Sequence, residues 1–338
     1  MLLPYLHRVA AREDLTAGDA HDAMLAILGG EATVPQVAAF LVALRMKGET
    51  AAELTGFARA MREKSHWVDV ALNGEPLLDT CGTGGDGACT FNISTIAAFV
   101  TAGAGVRVAK HGNRSISSRC GSVDLLEALG VRILPDPELA AEAIRKIGIG
   151  FLFAPAHHPA MKHAQPARHE LRMRTVFNLL GPLTNPAGAQ RQLIGAPSEE
   201  AAELMARALA ELGTERTFVV HGDGGLDEVS TVGLTMAFEV AEGIVNRQAW
   251  MPEDFGLPRA SLEDLRGGDL AQNVEIANAV LRGDEGPKRD IVLANAAAAL
   301  VAAGRAEGLR KGVVLAAESI DSGAAREKLR MLAEFSTR

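Results

Sequence analysis

Two polar glycine runs hold the residues whose types and spacing point most clearly to chemistry. The first is Asp79-Thr80-Cys81-Gly82-Thr83-Gly84-Gly85-Asp86-Gly87, which continues into Thr90-Phe91-Asn92-Ile93-Ser94-Thr95. The second is Lys110-His111-Gly112-Asn113-Arg114-Ser115-Ile116-Ser117-Ser118. Each follows a short apolar run and leads into a helix-like one. Small, donor-rich backbone between a strand end and a helix start suits phosphate groups. The first N–H groups of a helix have no intrahelical partner and carry partial positive charge. Between Gly87 and Val123 stand four fixed cations (Arg107, Lys110, Arg114, Arg119) and no Asp or Glu, in a chain of net charge −8. A positive window on an acidic background selects a small, highly anionic ligand.

The two commonest nucleotide sites do not fit. Gly82 to Gly87 has the G-x-G-x-x-G spacing, but a dinucleotide site needs an acid about 20 residues on. That neighbourhood holds Arg107 and Lys110, and the first acid is Asp124. A P-loop fails because Gly87 is followed by Ala88-Cys89 instead of Lys-Ser/Thr. A lone glycine run can also be a tight turn packed on a sheet. The polar collar of Thr90, Asn92, Ser94 and Thr95, at the start of a helix predicted over 93–103, adds the phosphate cradle; one of the four is expected to be only an N-cap. In the second run Lys110 and Arg114 offer charge, each charge-assisted hydrogen bond being worth roughly 1.5–3 kcal/mol. Alone, the same run also reads as a solvated basic turn. Arg107 and Arg119 read as structural or surface charges.

Asp227-Glu228 lies in His221-Gly222-Asp223-Gly224-Gly225-Leu226-Asp227-Glu228-Val229-Ser230, after the strand-like 217–220. On a strand, adjacent carboxylates would face opposite ways. On a loop both can reach one space and hold one or two magnesium ions bridged to phosphate. The plain alternative is an acidic loop, and Asp223 is placed less well. His157-His158-Pro159 has no nearby Glu or third His to complete a metal site. Those histidines suit either a pocket wall against an aromatic substrate or a buried structural role. Arg168 opens a helix-like segment with nothing local to single it out. No Ser/His/Asp or Cys/His nucleophile arrangement is visible.

The elements that must position these groups divide into two kinds. Residues 1–70 read as helices only, with a helix start at Thr33-Val34-Pro35 and a capping-box pattern at Thr50-Ala51-Ala52-Glu53. From Leu77 onward strand-like runs alternate with helices: 77–79, 106–109, 131–134, 149–153, 193–195 and 217–220. Beyond Asn273 the pattern is helical again. The expected fold is an α/β protein with a small all-α domain. Residues 1–70 form the helical domain, with 165–185 packing back onto it. Residues 76–164 and 190–338 form the larger α/β domain around a central, mostly parallel sheet. Arg174-Thr175-Val176-Phe177-Asn178-Leu179-Leu180-Gly181-Pro182-Leu183-Thr184-Asn185-Pro186 has two Pro stops and reads as a helix closing into a fixed loop, an interdomain connection. Bulk properties narrow the class further. A pI near 5.7 argues against a general nucleic-acid binder. The N-terminus lacks a signal-peptide pattern, and the Ala-rich run 291–304 stops at Arg305, short of a membrane span. Three cysteines make neither a disulfide framework nor a zinc motif, so a reducing, cytoplasmic setting is expected.

Together these motifs resemble the anthranilate phosphoribosyltransferases, through nearly the whole chain. The resemblance is carried by the helical N-terminal region (30–33 and 43–48), Gly82–Asp86, Phe91–Thr95, Lys110–Arg114, His157–Lys162, Phe177–Pro186 and Gly225–Glu228. It implies a homodimer that joins phosphoribosyl pyrophosphate to anthranilate in tryptophan biosynthesis. By the same resemblance, Gly82, Gly85, Asp86, Thr90, Asn92, Ile93, Ser94, Thr95, the run from Lys110 through His111, Gly112, Asn113, Arg114, Ser115, Ile116 and Ser117 to Ser118, and Ser122 bind phosphoribosyl pyrophosphate. Gly82, Asn113, Arg168, His111 and His157 face anthranilate, and Ser94, Asp227 and Glu228 hold magnesium. An aromatic amine is a free nucleophile at neutral pH, so the lack of a catalytic dyad is expected. Hinges are expected near 72–76 and 164–174. Cys120, His169 and Arg172 depart from the family pattern, the last two near substrate entry. Two rivals share features of the chain: a pyrimidine nucleoside phosphorylase, and a non-catalytic nucleic-acid-binding relative. The full second loop and 157–162 argue against the former; net charge −8 and Asp227-Glu228 argue against the latter.

Overall fold

The computed structural model describes residues 1–72, 74–84, 87–114 and 120–337. Four helices open the chain: α1 (Leu3–Ala10), α2 (Ala17–Leu28), α3 (Val34–Lys47) and α4 (Ala51–Glu63). Thr16 with Asp19 and Thr50 with Glu53 form capping boxes at α2 and α4, and Pro35 sits in the first turn of α3. Glu53 is fully buried yet satisfied. It accepts from Leu15 N at 2.9 Å, Thr50 N at 2.9 Å and Lys47 Nζ at 3.0 Å. Gly56 lets α4 lie directly on α2, since a Cβ there would meet Ala17 O at 2.2 Å.

The α/β part follows as β1 (Leu77–Gly82), α5 (Ile93–Gly103), β2 (Arg107–Gly112), α6 (Ser122–Ala128), α7 (Pro137–Ile147), β3 (Ile149–Phe153) and the short α8 (Ala154–His157). After a 3-10 turn at Pro159–His163 come α9 (Gln165–Leu171) and α10 (Phe177–Leu180). Ala164, Ala167, Phe177, Leu180 and Leu183 share one apolar cluster with Val37, Phe40 and Leu41 of α3, so this return segment packs among the N-terminal helices. The chain then runs through β4 (Arg191–Gly195), α11 (Glu199–Leu212), β5 (Arg216–Gly222), β6 (Thr235–Ala241) and β7 (Ile244–Trp250). It ends in α12 (Pro252–Phe255), α13 (Leu270–Arg282), α14 (Pro287–Ala302), α15 (Leu309–Asp321) and α16 (Ala324–Ser336).

The seven strands form one sheet in the order β3-β2-β1-β4-β5-β6-β7. The first five are parallel and the last two antiparallel, which makes the sheet mostly parallel, as expected. β1 has β2 on one side and β4 on the other. The strand order reverses there, and the crevice beyond the strand ends is where open α/β sheets bind ligands. The Ala-rich run seen in the sequence is α14, buried from Ile291 to Ala302 against the sheet and α5. Among the described residues no helix is long and apolar enough to cross a membrane.

The strand expected at 131–134 does not form. Val131 N instead closes on Leu126 O, Arg132 N donates to Ser336 Oγ, and Asp136 already caps α7. These backbone bonds go to α6 and α16 instead of to the edge strand β3. The β6–β7 hairpin, which the sequence pattern alone does not single out, turns on Glu242-Gly243, both at positive φ.

Candidate active site

The ends of β1 and β4 meet at Gly82 and Gly195, which pair in register. Asp227 crosses directly over both. A Cβ on Gly195 would lie 1.5 Å from Asp227 O, and one on Gly82 would lie 2.5 Å from Asp227 Oδ2. Backbone atoms of Asp227 leave Gly195 no room for a side chain, whereas at Gly82 the obstacle is the end of the Asp227 side chain. The two carboxylates then split between the two sides of the crevice. Asp227 Oδ2 accepts from Gly84 N at 2.8 Å, in the first glycine loop. Glu228 Oε1 accepts from Ser94 N at 3.1 Å, in the first turn of α5. Ser94 N is one of the donors that helix geometry leaves without an intrahelical partner. An acid there also complements the positive helix end.

Lys110, on β2, reaches the same place from below. Its Nζ donates to Thr80 O at 2.5 Å and to Ser94 Oγ at 3.4 Å, and Thr80 Oγ1 donates to Ser94 O at 3.1 Å. Asp79 lies behind, fully buried. It accepts from His111 N at 3.1 Å and from Asn185 Nδ2 at 2.8 Å. Burial pushes the Asp79 carboxyl up and the Lys110 ammonium down, and the charge of each opposes the shift of the other. Asn185 also donates to Ala109 O at 2.8 Å. It therefore ties the end of the two-proline connection to β1 and β2.

The other predicted residues are distributed unevenly. Thr95 and Ile93 are buried in α5, so Ile93 has only its backbone to offer a ligand. Asn92 Nδ2 donates to Cys120 O at 3.1 Å, while its Oδ1 is buried without a partner among the described residues. It precedes α5 but makes no side-chain cap, so the expected N-cap hydrogen bond is not made there. Thr90 bridges to Arg266. Gly112 and Asn113 lie beside Ser122, whose Oγ donates to Asn113 O at 3.3 Å. Arg114 is exposed and turned onto α6, donating to Asp124 at 3.0 Å and to Glu127 at 2.7 Å, and these acids raise its pKa. Gly85, Asp86, Ser115, Ile116, Ser117, Ser118 and Arg119 lie outside the described residues. Arg107 is structural, as expected. It pairs with Glu75 and caps the carbonyls of Ile144 and Arg145. Asp223 is used in its own turn, accepting from Leu234 N.

Three histidines cluster near the start of the second loop. His111 and His158 are buried with rings 5.2 Å apart, and His157 is wholly buried. His111 and His158 hydrogen-bond the backbone of Gly181 and Thr184. The ring nitrogens His111 Nε2, both of His157 and His158 Nε2 have no partner among the described residues. Burial lowers all three pKa values, that of His158 to about 4, so neutral imidazoles stand here at pH 7. Arg168, half-buried on α9, stacks its guanidinium 5.1 Å over the Phe177 ring, and burial lowers its pKa. Sequence reasoning does not find Arg174, which donates to Gly84 O at 2.8 Å, nor the site roles of Asp79 and Asn185. No local pattern marks these three residues, because their partners lie tens of positions away in the chain.

The donor set suits a hard cation: the Asp227 carboxylate is held at the first glycine loop and that of Glu228 at the start of α5, where Ser94 also carries its hydroxyl and phosphate is favoured. Among the described residues no group of three or more His, Cys, Asp or Glu side chains could hold a metal by itself. A cation at Asp227 and Glu228 would therefore draw further ligands from a phosphorylated substrate.

Residues 3–65 match the helical bundle domain of a glycosyl transferase family, and residues 74–326 match its a/b domain. The chain is similar to the anthranilate phosphoribosyltransferase of Solibacter usitatus, 64% identical over 334 residues, covering 99% of this chain and 98% of that one. The protein of the same name from Chloroflexus aurantiacus is 56% identical over 326 residues, with 96% and 95% covered. Among solved structures, the anthranilate phosphoribosyltransferase of Thermus thermophilus superposes with a TM-score of 0.93 at 46% identity, covering 98% of this chain and 99% of that one. The Saccharomyces cerevisiae enzyme in complex with PRPP and Mg gives 0.89 at 32%, with 99% and 98% covered.

Proposed function

Because this chain belongs to the anthranilate phosphoribosyltransferases, we propose that its two substrates meet over Gly82, at the reversal of strand order. The enzyme transfers the phosphoribosyl group of phosphoribosyl pyrophosphate to the amine of anthranilate, releasing pyrophosphate, in tryptophan biosynthesis. Its metal is magnesium. The observation that carries the site assignment is the pair Asp227 and Glu228, one bonded to the first glycine loop and the other to the start of α5. In this reading Asp227, Glu228 and Ser94 hold the metal, which, when bound, neutralises charge on the departing pyrophosphate. The N–H groups of the glycine loop, the first turn of α5 and the run 110–118 with Ser122 grip the phosphates. Lys110 keeps Ser94 and Thr80 in place from below while adding positive charge.

Anthranilate is assigned to the histidine side. Arg168 receives its carboxylate, with Asn113, His111 and His157 nearby. The buried imidazoles, neutral at pH 7, can take or give a hydrogen bond without placing a charge against the aromatic ring. No strong base is required, because the arylamine is already unprotonated. Rate enhancement comes from bringing amine and anomeric carbon together in line with the leaving group. We further assign a homodimer, the assembly that the family resemblance implies. A cytoplasmic location accords with three free cysteines.

Anthranilate is fluorescent, so turnover is read directly. Protein with phosphoribosyl pyrophosphate and magnesium should consume the signal, and a chelator should stop it. Asp227→Ala with Glu228→Ala should abolish magnesium-dependent turnover while circular dichroism stays native. Retained turnover in that variant would remove both from the metal role.

A further inference from the structure

Gly84 is held from two sides, and only one of them belongs to the metal carboxylates. Its N–H goes to Asp227 Oδ2 at 2.8 Å, and its carbonyl accepts from Arg174 Nη2, also at 2.8 Å. The same nitrogen lies 3.4 Å from Thr83 Oγ1. Arg174 sits between α9 and α10, in the segment that returns to the helical domain. Its own carbonyl accepts from Arg45 Nη1 at 2.6 Å, and Arg45 stands in the last turn of α3. A continuous chain of hydrogen bonds therefore runs from α3 through Arg174 and Gly84 to Asp227.

We infer that Arg174 is a positioning residue: it fixes Gly84 of the first glycine loop for phosphate binding from the helical-domain side. Glycine backbone loses more freedom on ordering than any other residue, and Gly84 is exposed at φ 69°. A half-buried guanidinium on its carbonyl removes part of that freedom before substrate arrives. It also keeps the Gly84 N–H aimed at Asp227. Domain placement is thereby coupled, through Gly84 and Asp227, to the phosphate and metal side of the site. The inference rests on the phosphoribosyl pyrophosphate reading above.

The test compares wild type, Arg174→Ala and Arg174→Lys by steady-state kinetics and by the thermal shift that phosphoribosyl pyrophosphate with magnesium produces. Arg174→Ala should raise KM for phosphoribosyl pyrophosphate about tenfold or more, shrink the thermal shift, and leave KM for anthranilate within about twofold. Arg174→Lys keeps the charge and the stem but reaches one acceptor at a time, so its KM should fall between the two. A folded Arg174→Ala variant with wild-type KM and thermal shift would overturn the inference. So would an equal loss on both substrates that merely tracks a lowered Tm. If Arg174→Ala does not fold, a wild-type KM in Arg174→Lys overturns it instead. Wild-type protein that neither turns over nor gains stability with phosphoribosyl pyrophosphate and magnesium would overturn the underlying reading, and the inference with it.

Discussion

Adding one methyl group at Gly195 should cost this enzyme most of its activity without touching a single ligand. The Cβ of Gly195→Ala would sit 1.5 Å from Asp227 O, 2.3 Å from its carbonyl carbon and 3.0 Å from its Cα. All three are backbone atoms, so no side-chain rotation relieves the overlap. To regain an ordinary contact of roughly 3.5 Å, the Asp227 backbone must retreat by about 2 Å. The bonds from Gly84 N and Ser94 N, at 2.8 and 3.1 Å, do not survive such a shift. Misplacement by 1 Å can cost about 10²-fold, so kcat/KM should fall by about 10²–10³, or roughly 3–4 kcal/mol of transition-state stabilisation. Stability should drop by about 1–3 kcal/mol from overpacking. Gly82→Ala is the comparison. Its Cβ meets Asp227 Oδ2 at 2.5 Å, the end of a side chain that can turn aside. Its loss should be smaller and should appear mainly as a higher magnesium requirement. Anthranilate fluorescence followed across a magnesium titration measures both, with circular dichroism as the check on folding. A Gly195→Ala enzyme within about threefold of wild type, with an unchanged magnesium midpoint, would refute the reasoning. So would a Gly82→Ala variant worse than Gly195→Ala.

Two further outcomes are expected. Arg168→Ala should raise KM for anthranilate about 10²-fold, the worth of one or two charge-assisted hydrogen bonds, with KM for phosphoribosyl pyrophosphate nearly unchanged; a rise confined to phosphoribosyl pyrophosphate would place Arg168 elsewhere. The buried His158 has its pKa lowered to about 4 from 6.5, so the unfolded chain binds more protons between those values. Its contribution is whole above about pH 6.5 and is lost as pH falls toward about 4. Roughly 2 kcal/mol should go between pH 7 and pH 5 from this side chain, with His111 and His157 adding in the same direction. Urea unfolding across that interval measures it, and a His158→Asn variant with as steep a pH dependence as wild type would rule it out.

The residues most legible in the sequence are those whose chemistry is local. The α5 boundary at 93–103, the glycine runs and the Asp227-Glu228 pair can all be read because turn chemistry, helix starts and adjacent acids need no distant partner. The strand expected at 131–134 fails because Val131-Arg132-Ile133-Leu134 has strand-like composition but gives its first N–H groups to Leu126 O and Ser336 Oγ. The β6–β7 hairpin escapes notice because β7 does not alternate and Glu242-Gly243 is a weaker turn signal than Asn-Gly. Arg114 shows the same limit within the site. Its charge is visible, but its turn toward Asp124 and Glu127 depends on α6 lying alongside. Asp79, Asn185 and Arg174 act through partners 32 to 129 positions away. No spacing rule reaches that far.

The return of 164–183 into the helical cluster bears on how this architecture can be recombined. The N-terminal helices look like a detachable cassette ending near Lys64. Yet Ala164, Ala167, Phe177, Leu180 and Leu183 fill the same apolar cluster as Phe40 and Leu41, and Arg62 Nε donates to Leu183 O. The linker is also stitched to the later crossings, through His66 N to His157 O and Val68 N to Pro186 O. A crossover after residue 64 would therefore join helices from one parent to a docking surface from another. Only an exchange that carries both segments together transplants a physically whole unit. Inheritance of this bundle is two-part, and compensating changes between its parts must cross the intervening sheet and helices.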